Sequence, residues 1–157
     1  MRHLKRLAAA ALPAALALSA PVPADAAPAI YTLAQIQAKF GLAAAAFPTL
    51  PSYVTNTIYN QPSSQAAGMG VFVPNSSQTY DQVLPVGYYS YQRFGWNTTG
   101  GWYTGSGWCT WQLRSDDRGK NWSYQKPDLG PGRHAIGRTT SYIIASYRQF
   151  DGKCSDT

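Results

Sequence analysis

The carboxylates and one histidine are the side chains of this chain that could perform acid–base chemistry. The chain contains no glutamate, and Asp81 is the best candidate for a catalytic acid. Glycoside hydrolysis needs two carboxylates flanking the scissile bond, so a partner aspartate would be required. His134 could serve a Ser–His–Asp unit, but no nucleophile-elbow motif lies near it. A turn role for Asp81 and a structural role for His134 are therefore favoured, and we expect no catalytic residue. After residue 26 the aspartates are Asp81, Asp116, Asp117, Asp128, Asp151 and Asp156.

Metal and cofactor sites are not expected either. The two cysteines have no CxxC partner, and no zinc-ligand spacing occurs. Asp116, Asp117 and Asn121 carry oxygen ligands suited to calcium, but the pattern of an EF-hand loop is absent. The prediction is no metal and no cofactor.

The segment 115–122 has the strongest local pattern, S-x-D-x-G-x-N-W. Ser115 and Asp117 can accept hydrogen bonds from amides of a tight turn, Gly119 can adopt positive φ, and Trp122 can cover the turn. The pattern resembles the Asp-box of sialidases and related β proteins, S-x-D-x-G-x-T-W, with Asn121 in place of Thr. In that family the boxes recur on successive propeller blades, away from the catalytic centre. With one copy and no glutamate for a Tyr–Glu nucleophile pair, the segment predicts a β-hairpin and not a sialidase.

The first 26 residues are typical of a secretory signal peptide. Arg2, Lys5 and Arg6 precede an apolar stretch over 7–18, and Ala24-Asp25-Ala26 provides a cleavage site. Cleavage near Ala26 predicts a secreted protein of 131 residues, and the Ala-rich signal is typical of bacteria. The apolar stretch is shorter than the roughly 20 residues that span a bilayer, so no membrane insertion is expected.

The charge of the remaining chain is moderately basic. Ten Lys and Arg residues against six Asp give +4, and the basic residues are scattered along the sequence. No nucleic-acid partner is expected from this distribution.

Cys109 and Cys154 are the only cysteines of the chain. In an exported protein such a pair most often forms a disulfide, here between positions 45 residues apart. A thiol nucleophile or a metal pair is the minor alternative.

The segment 27–52 predicts a short amphipathic helix followed by a proline-containing linker. Thr32 and Gln35 fit a capping box, and Leu33, Ile36 and Phe40 recur at helical spacing over 33–46. The helix either covers an edge of the sheet, which we favour, or forms an arm that docks on a partner through Leu33, Ile36 and Phe40.

From residue 53 to 157 the pattern predicts one β domain. Regular turn signals separate the strands, which favours an all-β fold, a small antiparallel sandwich or barrel of about seven strands. The predicted strands are 53–59, 69–73, 78–84, 87–94, 107–114, 121–125 and 140–150, with 133–136 as a weaker eighth.

A second likeness covers more of the domain. Pro85-Val86-Gly87-Tyr88, Cys109-Thr110-Trp111 and the C-terminal Phe150-x-x-x-Cys154 are similar to small secreted proteins of actinobacteria. That likeness implies a β domain whose two cysteines are bridged, and it implies no activity.

Aromatic residues are concentrated between positions 88 and 111. Tyr89, Tyr91 and Trp111 are expected in the core. If Cys109, Trp111 and Leu113 of the strand 107–114 face the core, then Trp108, Thr110, Gln112 and Arg114 face outward, unless a neighbouring sheet or helix covers that second face. Flat rings on a surface suit stacking on sugars or on a protein. The rings expected at such a surface are Trp96, Trp102, Tyr103 and Trp108.

These patterns predict a non-catalytic, secreted interaction module or adaptor that binds another extracellular protein. The alternative is a lectin-like binder of a cell-wall or extracellular glycan through exposed Trp and Tyr. A hydrolase is the least favoured interpretation.

Overall fold

A computed structural model describes residues 29–42, 49–137, 140–149 and 154. The predicted signal peptide lies outside these residues. The described chain forms nine strands and two short helices, which confirms the all-β prediction with one short N-terminal helix. In chain order they are β1 (Ile30–Thr32), α1 (Leu33–Phe40), β2 (Thr57–Asn60), β3 (Gly68–Phe72), β4 (Gln82–Pro85), α2 (Ser90–Phe94), β5 (Gly101–Thr104), β6 (Trp108–Ser115), β7 (Asn121–Leu129), β8 (Gly132–Ala135) and β9 (Tyr142–Gln149).

The strands form two sheets in a sandwich. The five-stranded sheet has the order β1-β7-β6-β9-β2, and the four-stranded sheet has the order β4-β3-β5-β8. Every pairing is antiparallel except that of β2 with β9. The sandwich alternative is therefore correct, and the described strands do not close a barrel.

The five-stranded sheet is buried on both faces. On β9, Ile143 and Ala145 pack with Met69 and Val71 of the other sheet. Ile144, from the opposite face of β9, lies in a second core. The molecule thus has three layers, and the second core contains residues from α1, β6 and β9 such as Ile36, Trp111, Leu113, Tyr142 and Ile144.

This arrangement decides between the two alternatives for β6. Cys109, Trp111 and Leu113 are buried as expected, and Thr110 and Gln112 are buried too. The four-stranded sheet covers the second face, so that face does not point to solvent.

Helix α1 packs on its own domain. Thr32 and Gln35 form the predicted capping box, and the helix ends at Gly41, which has φ 63°. Ile36 is fully buried, and the Phe40 ring lies 5.4 Å from that of Trp111. Helix α1 therefore covers the sheet, which is the favoured of the two predicted alternatives. The buried side chain of Ile36 cannot contact a partner protein. The helix is shorter than predicted, and residues 43–48 lie outside the described part.

Two local predictions in the middle of the chain are wrong. The expected strand 87–94 contains α2, because Ser90 turns its hydroxyl inward to the amide of Ile58 and Gly95 ends the helix at φ 71°. Strand β5 is not among the predicted strands. A Cβ at Gly101 would lie 2.0 Å from the carbonyl oxygen of His134, so glycine permits the close pairing of β5 with β8.

The predicted disulfide is present. Cys109 at the start of β6 is bonded to Cys154, with their Cα atoms 5.6 Å apart. The bond fastens the C-terminal segment to the central strand of the five-stranded sheet.

Candidate functional site

The segment 115–122 forms the hairpin between β6 and β7. The Asp117 carboxylate accepts hydrogen bonds from the Ser115 hydroxyl at 2.7 Å and from the amides of Lys120 at 3.1 Å and Asn121 at 2.9 Å. The side-chain amide of Asn121 also donates to it at 2.7 Å. Gly119 has φ 84° and donates its amide to the Ser115 hydroxyl. All these donors belong to the turn, so Asp117 braces the hairpin.

Trp122 completes this hairpin. Its indole Nε1 donates to the carbonyl of Gly119 at 2.9 Å, and the ring is buried. Asn121 contributes to the turn through its side-chain amide, which donates to Asp117.

The electrostatics of Asp117 follow from this arrangement. Partial burial alone would raise its pKa, but the hydrogen bonds from Asn121, Ser115 and Lys120 together hold the pKa below its ordinary value. The carboxylate is therefore ionised at neutral pH, with its oxygens occupied by donors.

The other described carboxylates also hold the fold. Asp81 accepts from the amide of Val73 at 2.8 Å and from the Ser76 hydroxyl at 2.6 Å, so it braces a loop. Asp116 pairs with Arg114 at 2.8 Å and accepts from Ser141. Asp128 is buried and accepts from the hydroxyl of Tyr124.

His134 belongs to the packing between strands. Its ring lies 5.3 Å from that of Trp102, and its Nε2 lies 2.8 Å from the carbonyl of Gly130. Burial lowers the pKa of His134, although the contact with Gly130 opposes this. The ring is therefore neutral at pH 7.

The described residues contain neither a cluster of metal ligands nor a membrane-spanning helix. No group of three or more His, Cys, Asp or Glu side chains in the described ranges is placed to hold a metal ion. No helix in the same ranges is long and apolar enough to cross a membrane.

The predicted surface aromatics are dispersed. Trp102 is 2 % exposed and donates its indole N–H to Thr110 across the sandwich, so its expected surface position is wrong. Trp108 is half-buried against Tyr147, and Trp96 is half-buried against Phe94. Tyr103 alone among the four lies on the uncovered face of the four-stranded sheet, because it alternates with Trp102 along β5.

That uncovered face carries a cluster of side chains that we call the outer sheet face, defined by Tyr80, Val83, Tyr103 and Arg133. Tyr80 and Val83 are 45 % and 51 % exposed. The rings of Tyr80 and Tyr103 lie 6.2 Å apart and are tilted by 34°. Strand pairing places Val83, Gly70, Tyr103 and Arg133 side by side across β4, β3, β5 and β8.

Glycine allows Tyr80 to lie flat on the sheet. A Cβ at Gly70 would be 2.8 Å from two carbons of the Tyr80 ring. Gly68 makes similar room for Val83, whose Cγ1 would be 2.4 Å from an added Cβ. The alternation Gly68-Met69-Gly70-Val71 therefore buries one face of β3 and leaves the other for side chains from neighbouring segments.

The loop that carries Tyr80 is held from both ends. Arg133 donates to the carbonyls of Gln78 at 2.6 Å and Ser76 at 2.9 Å, and its guanidinium lies 3.9 Å from the Phe72 ring centre. Asp81 holds the other end, as described above. The outer sheet face is therefore preorganised, which lowers the entropic cost of binding.

The sequence did not identify Tyr80, Val83 or Arg133 as site residues. The signal that could have found them is the spacing of two glycines between apolar residues in β3. Glycines at alternate positions of a strand mark a face on which side chains from another part of the chain can lie close to the backbone.

Comparison with known proteins gave no relative. No protein-family model matches the chain, and neither a curated protein nor a solved structure matches it significantly. Function must therefore be argued from the site itself.

Proposed function

We propose that this protein is a secreted, non-catalytic interaction module that binds another extracellular protein through the outer sheet face. The observation that carries the proposal is the Tyr80–Tyr103 pair on an uncovered sheet. Secretion is supported by the N-terminal sequence pattern and by the disulfide, since disulfides persist mainly in oxidising compartments.

The composition of the outer sheet face favours a protein ligand. Tyr and Arg are enriched at the centres of protein interfaces, where rigid rings give large contact area at low entropic cost. Tyr80 and Tyr103 provide the rings, Val83 an aliphatic neighbour, and Arg133 a cation beside them. These groups are fixed by the sheet and by its braced loop.

A non-catalytic role is supported by the state of the ionisable groups. Asp81 and Asp117 accept hydrogen bonds within their own turns, and His134 lies against Trp102. General acid–base catalysis needs a group within reach of a substrate proton, and these groups contact their own chain instead.

Glycan binding is the second candidate. Two tilted rings side by side on one exposed face could stack on the apolar faces of adjacent sugars. Such a binder should retain cell-wall polysaccharide without a protein partner.

Affinity capture from culture supernatant, followed by reconstitution with the purified partner, tests the proposal. Tyr80→Ala and Tyr103→Ala should each weaken the reconstituted complex at least about tenfold. Tyr88→Ala is the matched control, because Tyr88 is 49 % exposed but lies outside the outer sheet face. Equal binding by all three variants would exclude this face, and retention on polysaccharide alone would favour the glycan alternative.

A further inference from the structure

A groove on the opposite side of the molecule separates the Asp-box hairpin from the N-terminal segment. It has a volume of about 360 Å³ and lies on the face of the five-stranded sheet that α1 covers in part. This volume falls at the lower end of the range for small-molecule sites. The lining residues are Leu33, Thr49, Leu50, Ser52, Tyr89, Arg118, Gly119, Trp122 and Tyr142.

We propose that this groove binds a small carboxylate with an apolar body, held by Arg118 and Tyr142. This site is independent of the outer sheet face, which belongs to the other sheet. Nothing in the proposed function requires it.

Aromatic rings lie at the floor of the groove. Gly119 lies between two rings, since a Cβ added there would be 3.5 Å from Tyr142 and 3.6 Å from Trp122. Leu33 and Leu50 provide aliphatic walls. An apolar ligand body of modest size would be desolvated against these groups.

Arg118 supplies an unpaired positive charge at this groove. The turn holds it at φ 61°, and its Nη1 donates to the carbonyl of Ser52 at 2.7 Å. Within the described ranges its other guanidinium donors contact no acceptor, and no carboxylate lies within ion-pair distance of it. A guanidinium with donors to spare is suited to a carboxylate.

The neighbouring charges of the hairpin do not compete for Arg118. Asp116 is paired with Arg114, and Asp117 is occupied by the donors of its turn. Burial, reinforced by Tyr59 and Tyr142, raises the pKa of Tyr89, so this groove-lining hydroxyl stays neutral. None of the described lining residues is anionic.

Tyr142 provides a second polar group at the groove. Its side chain lines the groove and is 6 % exposed, and its hydroxyl has no hydrogen-bond partner among the described residues. Within the described ranges, Oδ1 of Asn60 is the one fully buried side-chain oxygen or nitrogen without a partner, so the Tyr142 hydroxyl retains contact with solvent. A carboxylate in the groove would accept from this hydroxyl as well as from Arg118.

Calorimetric titration of the full mature protein with 3-phenylpropionate tests the site, with the neutral amide 3-phenylpropanamide as the matched ligand. We expect the carboxylate to bind and the amide to bind at least about tenfold more weakly. Arg118→Gln should weaken carboxylate binding by a similar factor, whereas Lys120→Gln, which removes an exposed cation of the same hairpin that does not line the groove, should not.

The variant Tyr142→Phe distinguishes a ligand-binding role of the Tyr142 hydroxyl from a structural role. Because the hydroxyl has no described partner, its removal should leave the midpoint of thermal unfolding unchanged or raised, while carboxylate affinity falls about threefold or more. No binding of 3-phenylpropionate at millimolar concentration, or equal binding of acid and amide, would overturn the proposal. Tyr80→Ala should leave this titration unchanged, so failure of the outer sheet face and failure of the groove can be told apart.

Discussion

At the scale of single residues, Asp117 determines how the turn of the segment 115–122 is held. Its oxygens accept four hydrogen bonds from side chains and amides of the same turn. Arg118 and Gly119, the next two residues, both have positive φ. The hydrogen bonds that Asp117 accepts hold the turn in this conformation. The motif therefore positions a hairpin and presents Arg118 over the groove.

Replacement of this carboxylate should destabilise the protein without changing its fold. Asp117→Ala leaves the amides of Lys120 and Asn121 without their acceptor, which should lower the free energy of unfolding by about 1–2 kcal/mol at pH 7. Because the folded pKa of Asp117 is depressed, its contribution is present above the unfolded pKa of about 4 and is lost as the pH falls through the folded value. Urea unfolding at pH 7 and pH 2.5 checks this: the difference between wild type and Asp117→Ala should be smaller at the lower pH.

His134 gives a second residue-scale prediction at milder pH. Burial holds its folded pKa below the unfolded value of about 6.5, so the unfolded state binds the proton more readily. Stability should therefore be complete above about pH 6.5 and decline as the pH falls through the folded pKa. Chemical unfolding of wild type and His134→Gln between pH 7.5 and 5 tests this, and an equal pH dependence for both proteins would contradict it.

At the scale of elements, the sequence correctly predicted the elements that are held by contacts between residues close in the chain. The capping box of α1 and the hairpin over 115–122 involve contacts within four residues, and both predictions were correct. The strand expected over 87–94 was wrong because Ser90 satisfies buried groups of distant Thr57 and Thr99, contacts that no local pattern contains.

The candidate site was predicted only in part for the same reason. Tyr103 was named, but its partner Tyr80 comes from a loop 23 positions away and reaches it over Gly70. Trp102 was misplaced because β5 itself was not predicted, and a ring on that strand alternates between core and surface. Long-range sheet pairing, and not residue type, decides which ring is exposed.

Adjacent residues on β5 should therefore behave differently. Trp102→Ala removes a buried ring and its bond to Thr110, and should lower the free energy of unfolding by about 3–5 kcal/mol. Tyr103→Ala, on the outer sheet face, should change it by less than about 1 kcal/mol. Thermal unfolding of the two variants checks the face assignment, which similar losses for both would contradict.

At the scale of the whole molecule, the three layers leave one broad face that no described residue covers. The five-stranded sheet is covered by α1 on one side and by the second sheet on the other. The second sheet turns its remaining face outward with Tyr80, Val83 and Tyr103. Exposed aromatic rings that are held in place on a sheet face indicate a binding surface.

The disulfide acts at this scale too, because it joins the central strand to the C-terminal segment. A bond across 45 positions should stabilise the fold by about 4 kcal/mol in the chain-entropy model. The double variant Cys109→Ser, Cys154→Ser should show this loss in urea unfolding. A loss below about 1 kcal/mol would mean that the segment is held by packing alone.

The most direct test of the central claim is the affinity of the purified partner for wild type, Tyr80→Ala, Tyr103→Ala and Tyr88→Ala, measured alongside their thermal unfolding. The account predicts that the first two substitutions weaken binding at least about tenfold at unchanged unfolding temperature, and that Tyr88→Ala does neither. Undiminished affinity in both Tyr80→Ala and Tyr103→Ala would show that the outer sheet face is not the binding surface.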